Sequence, residues 1–371
     1  YKVQLVNRSP DTANAIAKNG LRLELNDGLK VTRPDAVTSS DAGSARFVMC
    51  FTKTHQTGDA VRSIAGVLTE ETILVSMQNG LGNGQLLSEM TARDVLHGVT
   101  LLPATVLGPA HIRSIGSHKS WLGPLELQNA RQRTACDQLA EMLNNSQLET
   151  ETPENVLPSI WQKACFNVAM NGASALADAS PGLIGDIPEL KAEAHALADE
   201  ALQLAAALDI TLEADQVHEM IDFACREHRY HLPSMLQDIR ANRQTEIASL
   251  NGYVVAEAAR LGLAVPKCRK VPCMQLHRAG HGRKDGSRVR MKNVCILLGT
   301  SRSVIASGNH SPAARELQGL NLAELRVHNC GQGDENNRYQ DTSQLRSHTR
   351  VRPDQCMPHT TMWNNALRRT P

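Results

Sequence analysis

This sequence of 371 residues has few aromatic residues, almost no net charge and no long apolar run. Aromatics make up only 3% of the chain, and the formal net charge is +1. A charge this close to zero does not by itself predict a nucleic-acid or membrane partner. No run approaches the ~18 apolar residues of a membrane span, so we expect no membrane-embedded part.

The even charge balance conceals two unlike parts. Residues 1–266 contain 21 Lys+Arg and 31 Asp+Glu. Residues 267–371 contain 18 Lys+Arg and 7 Asp+Glu. We therefore predict an acidic enzyme body followed by a basic tail of low order, whose composition is typical of a frameshifted or misjoined translation. Non-specific nucleic-acid binding by the tail stays an alternative, and we expect no specific nucleic-acid partner.

Cysteine usage in residues 1–266 indicates reduced thiols, because Cys50, Cys136, Cys165 and Cys225 are scattered in apolar or helical contexts. We expect a cytoplasmic protein. In the tail, a pair of cysteines is followed closely by a pair of histidines. The gap between the Cys pair and the His pair is too short for the usual zinc finger. We predict no metal site; the residues of that arrangement are Cys268, Cys273, His277 and His281.

The pattern of apolar residues changes near residue 150. Continuous apolar runs at 45–52 and 71–77, with a helical pattern between them, predict a βαβ unit with a parallel sheet. Residues 154–261 are almost entirely helical in period. We predict an α/β domain over 1–150, a helical domain over 151–266, the tail over 267–371, and a ligand site between the first two.

One helix is predicted from about Met235 to Leu261, and polar groups interrupt its apolar stripe. Asn251 lies inside the stripe, Arg243 lies on it and Glu246 lies at its edge. Burying unpaired polar groups costs a few kcal/mol each, so a cluster of them favours a wet cleft. A partly solvated flank, or buried groups with partners, stays open as the alternative.

Lys163, Asn167 and Asn171 have i, i+4 and i+8 spacing, which puts them on one ridge of a helix. An ammonium in line with two amides suits a small substrate with a carbonyl and a carboxylate. Burial would lower the pKa of the lysine and let it donate a proton to a developing alkoxide. A solvent-facing ridge has the same spacing, and that alternative stays open.

Two weaker signals concern a nucleotide. The stretch SMQNGLGNG (76–84) follows an apolar strand, and its glycines would let the backbone approach a ligand at the carboxyl end of a sheet. Arg8 follows the first strand, where an arginine suits the 2′-phosphate of NADP. A glycine-rich turn and an ordinary surface arginine are the plain alternatives.

Four segments in this order resemble the ketopantoate reductase family: FTKTHQ (51–56), QNGLGN (78–83), WQKACFNVAMN (161–171) and SMLQDIRANRQTEIASLNGYVV…GLAVP (234–266). The resemblance implies a Rossmann domain followed by a helical domain like that of 6-phosphogluconate dehydrogenase. It also implies reduction of ketopantoate (2-dehydropantoate) to pantoate with NADPH, on the route to pantothenate and coenzyme A.

Roles for individual residues come from the resemblance. It implies that Lys163 is the general acid and that Glu246 binds the substrate hydroxyl. Substrate-positioning residues would be Asn167, Asn171 and Ser234. Cofactor contacts would be Arg8, Lys53, Asn79 and Gly80.

The family's G-x-G-x-x-G turn, with the strand before it, precedes the segment with which this sequence starts. We therefore expect an incomplete Rossmann domain with an unpaired central strand. Two functional alternatives stay open, an inactive remnant of the family and a reductase of another 2-keto acid. We expect a monomer or homodimer.

Overall fold

The structure is a computed structural model, and it describes residues 1–116 and 119–272. The predictions for residues 273–371, including low order and the Cys–His spacing from Cys273 onward, lie outside these residues.

The first half of the chain alternates strands with short helices, as the apolar runs predict. The helices are α1 (Pro10–Asn19), α2 (Thr57–Ile64), α3 (Asn83–Thr91) and α4 (Ala130–Asn145). The strands are β1 (Gln4–Asn7), β2 (Leu21–Leu25), β3 (Gly28–Thr32), β4 (Asp35–Thr38), β5 (Phe47–Cys50), β6 (Ile73–Ser76), β7 (Val95–Thr100), β8 (Thr105–Gly108), β9 (His111–Arg113), β10 (Ser120–Pro124) and β11 (Thr150–Glu151).

A five-stranded sheet in the order β11-β10-β7-β6-β5 forms the centre of this half. β5, β6 and β7 run parallel, which confirms the predicted βαβ unit. β10 is antiparallel to β7, with Ser120 opposite Thr100. The three parallel strands end at one edge, and the cleft described below lies at that edge.

Two smaller sheets accompany the large one. β2 and β3 form a hairpin within the order β3-β2-β9-β8. β1 pairs in parallel with β4, a strand that the apolar pattern did not predict. Among the described residues, β1 pairs only with β4 and β5 only with β6.

The second half is helical. Its helices are α5 (Leu157–Ala177), α6 (Pro181–Asp186), α7 (Pro188–Ala207), α8 (Ala214–Glu227), α9 (Ser234–Arg240) and α10 (Asn251–Leu261). Prolines begin α6 and α7, where a missing N–H costs nothing. Small residues along α5 and α7, such as Ala169, Ala173 and Ala198, are fully or almost fully buried and let the two helices approach closely. None of the helices in the described residues is long and apolar enough to cross a membrane.

The prediction of one helix from Met235 to Leu261 is wrong. α9 ends at Arg240, and Asn242 has a left-handed φ of 51°. The chain then makes a 3-10 turn at Ile247–Ser249 before α10 starts. Arg240 to Glu246 contains good helix formers, so local propensity did not show the break.

The predicted boundary between the helical part and the tail at residue 266 also needs a correction. Residues 266–272 are helical, and Cys268 and Val271 are completely buried in the core of the helical half. The carboxylate of Glu200 accepts hydrogen bonds from the backbone N–H groups of Lys267 and Cys268, each over 2.7 Å. Acidic groups are favourable at a helix N-terminus, so Glu200 stabilises the start of this segment.

Candidate active site

A narrow cleft lies between the carboxyl edge of the large sheet and the helical half. Five residues that the sequence singled out line it: Asn79, Asn167, Asn171, Ser234 and Glu246. They come from the loop after β6, from α5, from the start of α9 and from the turn before α10. The tertiary fold therefore brings together residues that lie up to 167 positions apart.

Lys163 lies one helical turn before Asn167 on α5. Its Nζ donates a hydrogen bond of 2.6 Å to the backbone carbonyl of Thr100, at the end of β7. Burial lowers the pKa of Lys163 to about 8, and the charge of Glu246 offsets part of this shift. A lysine with a pKa near neutrality can give up a proton during turnover, which an exposed lysine does poorly.

Glu246 lies immediately before the 3-10 turn and is partly buried. Burial raises the pKa of its carboxyl, while a hydrogen bond from the backbone N–H of Thr54, at 3.4 Å, and the positive charges of Lys53 and Lys163 act in the opposite direction. Lys163 and Glu246 thus interact electrostatically, although their direct hydrogen bonds go to other groups and Lys163 is not among the residues that line the cleft.

The two amides of the ridge differ in their surroundings. Asn171 is 5% exposed, and its Oδ1 accepts a hydrogen bond of 3.4 Å from the backbone N–H of Met235. Asn167 is partly exposed. Asn171 therefore ties α5 to the start of α9, next to Ser234, and Asn167 is the freer of the two amides to face a ligand.

Lys53 makes an ion pair that the sequence did not suggest. Its partner is Asp238 of α9, whose side chain is 5% exposed. Arg243 donates a second bond of 2.9 Å to the same carboxylate. The pair joins the loop after β5 to α9 across the cleft. Asp238 falls four residues after Ser234, so helical spacing could have placed both on one face.

Gly80, which the sequence predicts to contact the cofactor, packs tightly against another segment of the chain. Its φ is 87°, and a Cβ there would lie 2.5 Å from Oγ and 2.7 Å from the backbone oxygen of Ser249. The next residue, Leu81, donates a backbone hydrogen bond of 2.8 Å to Ser249. The glycine therefore lets the loop after β6 dock on the 3-10 turn that follows Glu246.

Two further predicted cofactor residues have exposed side chains. Asn79 lies at the edge of the cleft. Arg8 is the first residue after β1 and does not line the cleft. The cofactor roles of Arg8, Lys53, Asn79 and Gly80 stay predictions.

The three polar residues that interrupt the apolar stripe before and within α10 have different surroundings in the structure. Asn251 is completely buried at the start of α10, and its Nδ2 donates to the carbonyl of Val168 over 3.1 Å. Gly172 leaves the space for this amide, since a Cβ there would lie 3.1 Å from Nδ2. Asn251 thus links α10 to α5, Arg243 pairs with Asp238, and Glu246 alone of the three lines the cleft.

Across residues 1–116 and 119–272, no group of three or more His, Cys, Asp or Glu side chains is arranged to hold a metal ion.

Two family models match the chain, and they describe the two parts of one enzyme. "Ketopantoate reductase PanE/ApbA" matches residues 1–126, and "Ketopantoate reductase PanE/ApbA C terminal" matches residues 155–272. Together they account for more than half of the chain. The protein therefore belongs to the ketopantoate reductase family and is an oxidoreductase of the 2-dehydropantoate 2-reductase type.

Similar proteins agree with this classification. The 2-dehydropantoate 2-reductase of Streptococcus pyogenes serotype M18 is 29% identical over 277 residues, which cover 72% of this chain and 87% of the relative. The 2-dehydropantoate 2-reductase of Halobacterium salinarum is 29% identical over 270 residues, which cover 72% of this chain and 88% of the relative.

Solved structures share the fold. A PanE/ApbA family ketopantoate reductase from Ralstonia eutropha JMP134 has a TM-score of 0.68 and 25% identity, with 76% of this chain and 91% of that chain covered. D-mandelate dehydrogenase, solved with NADH and anilino(oxo)acetate, has a TM-score of 0.70 and 24% identity, with 75% of this chain and 91% of that chain covered. At this level of identity the second likeness concerns the fold alone.

Proposed function

We propose that the protein reduces ketopantoate to pantoate with NADPH, a step that supplies pantothenate and coenzyme A synthesis. The observation that carries the proposal is the pairing of Lys163 and Glu246. A partly buried ammonium with a pKa of about 8 and a carboxylate of raised pKa, the latter lining the cleft, interact electrostatically.

Lys163 is the proton donor in this proposal. Reduction of a ketone builds negative charge on the carbonyl oxygen, and an ammonium beside that oxygen stabilises the charge and then supplies the proton. The carbonyl of Thr100 holds Lys163 Nζ from the sheet side. The same bond leaves the other two N–H groups of the ammonium free to meet a substrate.

The remaining cleft residues orient the substrate. Glu246 accepts a hydrogen bond from the hydroxyl of ketopantoate, and Ser234 donates one to the substrate carboxylate. Asn167 and Asn171 bind the polar groups between them. Because reaction rates depend steeply on alignment, residues on three separate elements around one small molecule favour a single orientation.

Residues that follow β1, β5 and β6 offer polar groups suited to a nicotinamide dinucleotide. Asn79 offers an exposed amide at the cleft, and Arg8 offers an exposed guanidinium after β1, suited to a 2′-phosphate. Lys53 is engaged by Asp238, so we assign it the task of joining the walls of the cleft beside the cofactor. When bound, NADPH supplies the hydride. We also propose that the change near residue 150 separates the cofactor-binding domain from the substrate domain.

The test is a steady-state assay of the full chain, following oxidation of the dinucleotide. We expect turnover with ketopantoate and NADPH, and a kcat/KM at least tenfold lower with NADH or with an aromatic 2-keto acid. Higher kcat/KM with another keto acid would overturn the substrate assignment. A folded chain that binds NADPH but turns over no keto acid would be an inactive remnant. Light scattering on the same sample tests the predicted monomer or homodimer.

A further inference from the structure

A cluster of two histidines and two aspartates joins α7 to α8, away from the residues of the cleft. Nδ1 of His195 and Nδ1 of His218 are 2.7 Å apart. The opposite nitrogen of each ring meets a carboxylate, since His195 Nε2 lies 3.0 Å from Asp222 and His218 Nε2 lies 3.1 Å from Asp199.

Two ring nitrogens this close need a hydrogen atom or a metal ion between them. A neutral imidazole carries a single N–H, and a carboxylate beside Nε2 keeps that hydrogen there. Both Nδ1 atoms of His195 and His218 then present lone pairs to each other. Two lone pairs at 2.7 Å repel unless a proton or a metal ion lies between them.

The surroundings resemble the outer shell of a metal site. A histidine that binds a metal almost always donates its other ring N–H to a carboxylate or carbonyl, and here a carboxylate lies beside the Nε2 atom of both rings. The two carboxylates also supply negative charge, of which Lys191 neutralises part through a 2.9 Å contact with Asp222. Both imidazoles are about a quarter exposed, at 24% and 28%, so an ion can reach them.

We propose that His195 and His218 form a binding site for a divalent transition metal ion such as Ni²⁺ or Zn²⁺. Imidazole nitrogens suit these ions, whereas Mg²⁺ and Ca²⁺ prefer oxygen ligands. The ion replaces the proton between the rings and clips α7 to α8. With metal–nitrogen distances of about 2.0–2.1 Å and a tetrahedral angle, the two Nδ1 atoms would lie about 3.3–3.4 Å apart, so the rings must part by roughly 0.6–0.7 Å. Water fills the remaining positions, since in the described residues no third His, Cys, Asp or Glu side chain joins the two rings as a ligand.

The test is calorimetric titration of the metal-stripped full chain with NiCl₂ and, separately, ZnCl₂. We expect His195→Gln and His218→Gln each to lower the stoichiometry by one ion. The exposed His231 provides the matched control, and His231→Gln should keep the ion. Titrations in buffers of different ionisation enthalpy should show one proton released for each ion bound at this site.

A second variant keeps the test valid if a histidine change disturbs folding. Asp199 is 63% exposed, so Asp199→Asn should fold normally and weaken metal binding 10- to 100-fold. The proposal is overturned if wild type and His218→Gln bind equal numbers of ions, or if wild type binds none. A proton alone would then hold the two rings together. Enzyme activity enters none of these readouts, so the result is independent of the proposed reaction.

Discussion

The ammonium of Lys163 and the carbonyl of Thr100 are joined by a 2.6 Å hydrogen bond that connects α5 to the end of β7. Thr100 lies at the same sheet edge as the loops that carry Lys53 and Asn79, because β5, β6 and β7 are parallel. A lysine on the helical half is thereby held at the edge where the cofactor is expected to bind, and the predictions below start from this contact.

Replacement of Lys163 by Ala should lower kcat by roughly 10²- to 10⁴-fold, the usual contribution of a general acid. NADPH affinity should change little, because the lost group meets the substrate oxygen in our proposal. Steady-state kinetics and a fluorescence titration with NADPH measure the two effects. Lys30→Ala, an exposed change in the β2–β3 hairpin, is the control. A loss below tenfold in kcat would count against proton donation by Lys163.

The pH dependence of turnover should show an alkaline limb. Burial lowers the pKa of Lys163 to about 8, and only the protonated form can donate. As pH rises through about 8 the donor is lost, so kcat should fall tenfold per pH unit beyond it. Circular dichroism over the same range separates this effect from unfolding. A kcat that is constant to pH 10 would contradict the assignment.

Glu246→Gln should raise the KM for ketopantoate at least tenfold, since hydrogen bonds to charged groups contribute about 1.5–3 kcal/mol. Glu141→Gln, on an exposed position of α4, is the control. In the wild type, burial raises the pKa of Glu246, so its carboxylate is lost at a higher pH than an ordinary one during acidification. KM should therefore rise as pH falls, and the variant should lack this rise.

Asp238→Asn should weaken both stability and substrate binding. Asp238 is buried, but its partners Lys53 and Arg243 are 34% and 60% exposed, so we expect a loss of about 1–2 kcal/mol in the free energy of unfolding. Urea denaturation measures it. Asp59→Asn removes the exposed ion pair with Arg62 and should leave the free energy of unfolding unchanged. Equal effects of the two variants would show that the Lys53–Asp238 pair does not hold the cleft together.

Gly80→Ala separates packing from cofactor contact. A methyl group there meets Ser249 at 2.5–2.7 Å and forces an unfavourable φ, so the free energy of unfolding should drop by about 2 kcal/mol. Because the displaced turn follows Glu246, the KM for ketopantoate should rise more than the KM for NADPH. Gly66→Ala, which meets open space, is the control. A rise confined to NADPH would instead support the cofactor role predicted from the sequence.

Local patterns predicted the individual elements well. The apolar runs at 45–52 and 71–77 became β5 and β6, and the first part of the helical period over 154–261 became α5, with Lys163, Asn167 and Asn171 on one ridge. These features depend on periodicity within a single element, which the order of residues specifies. The short edge strand β4 was missed because Asp35–Thr38 has no apolar run and is stabilised by pairing with β1.

The break after α9 shows where local reasoning fails. Residues 241–246 have no strong helix breaker, yet Asn242 takes a left-handed conformation and Arg243 pairs with Asp238. Contacts with distant residues compensate for the lost helical hydrogen bonds. The 2.8 Å bond from Leu81 N–H to the Ser249 carbonyl is one of them. The same break turns Glu246 toward the cleft.

The sequence by itself determined which residues form helices and strands in most of residues 1–261, and which side chains share the ridge of α5. Tertiary structure alone decided that Lys53 meets Asp238, 185 residues away, and that Lys163 is buried enough for its pKa to fall to about 8. The reason is physical. Periodicity acts within one element, whereas burial and charge pairing depend on which elements the folded chain brings together.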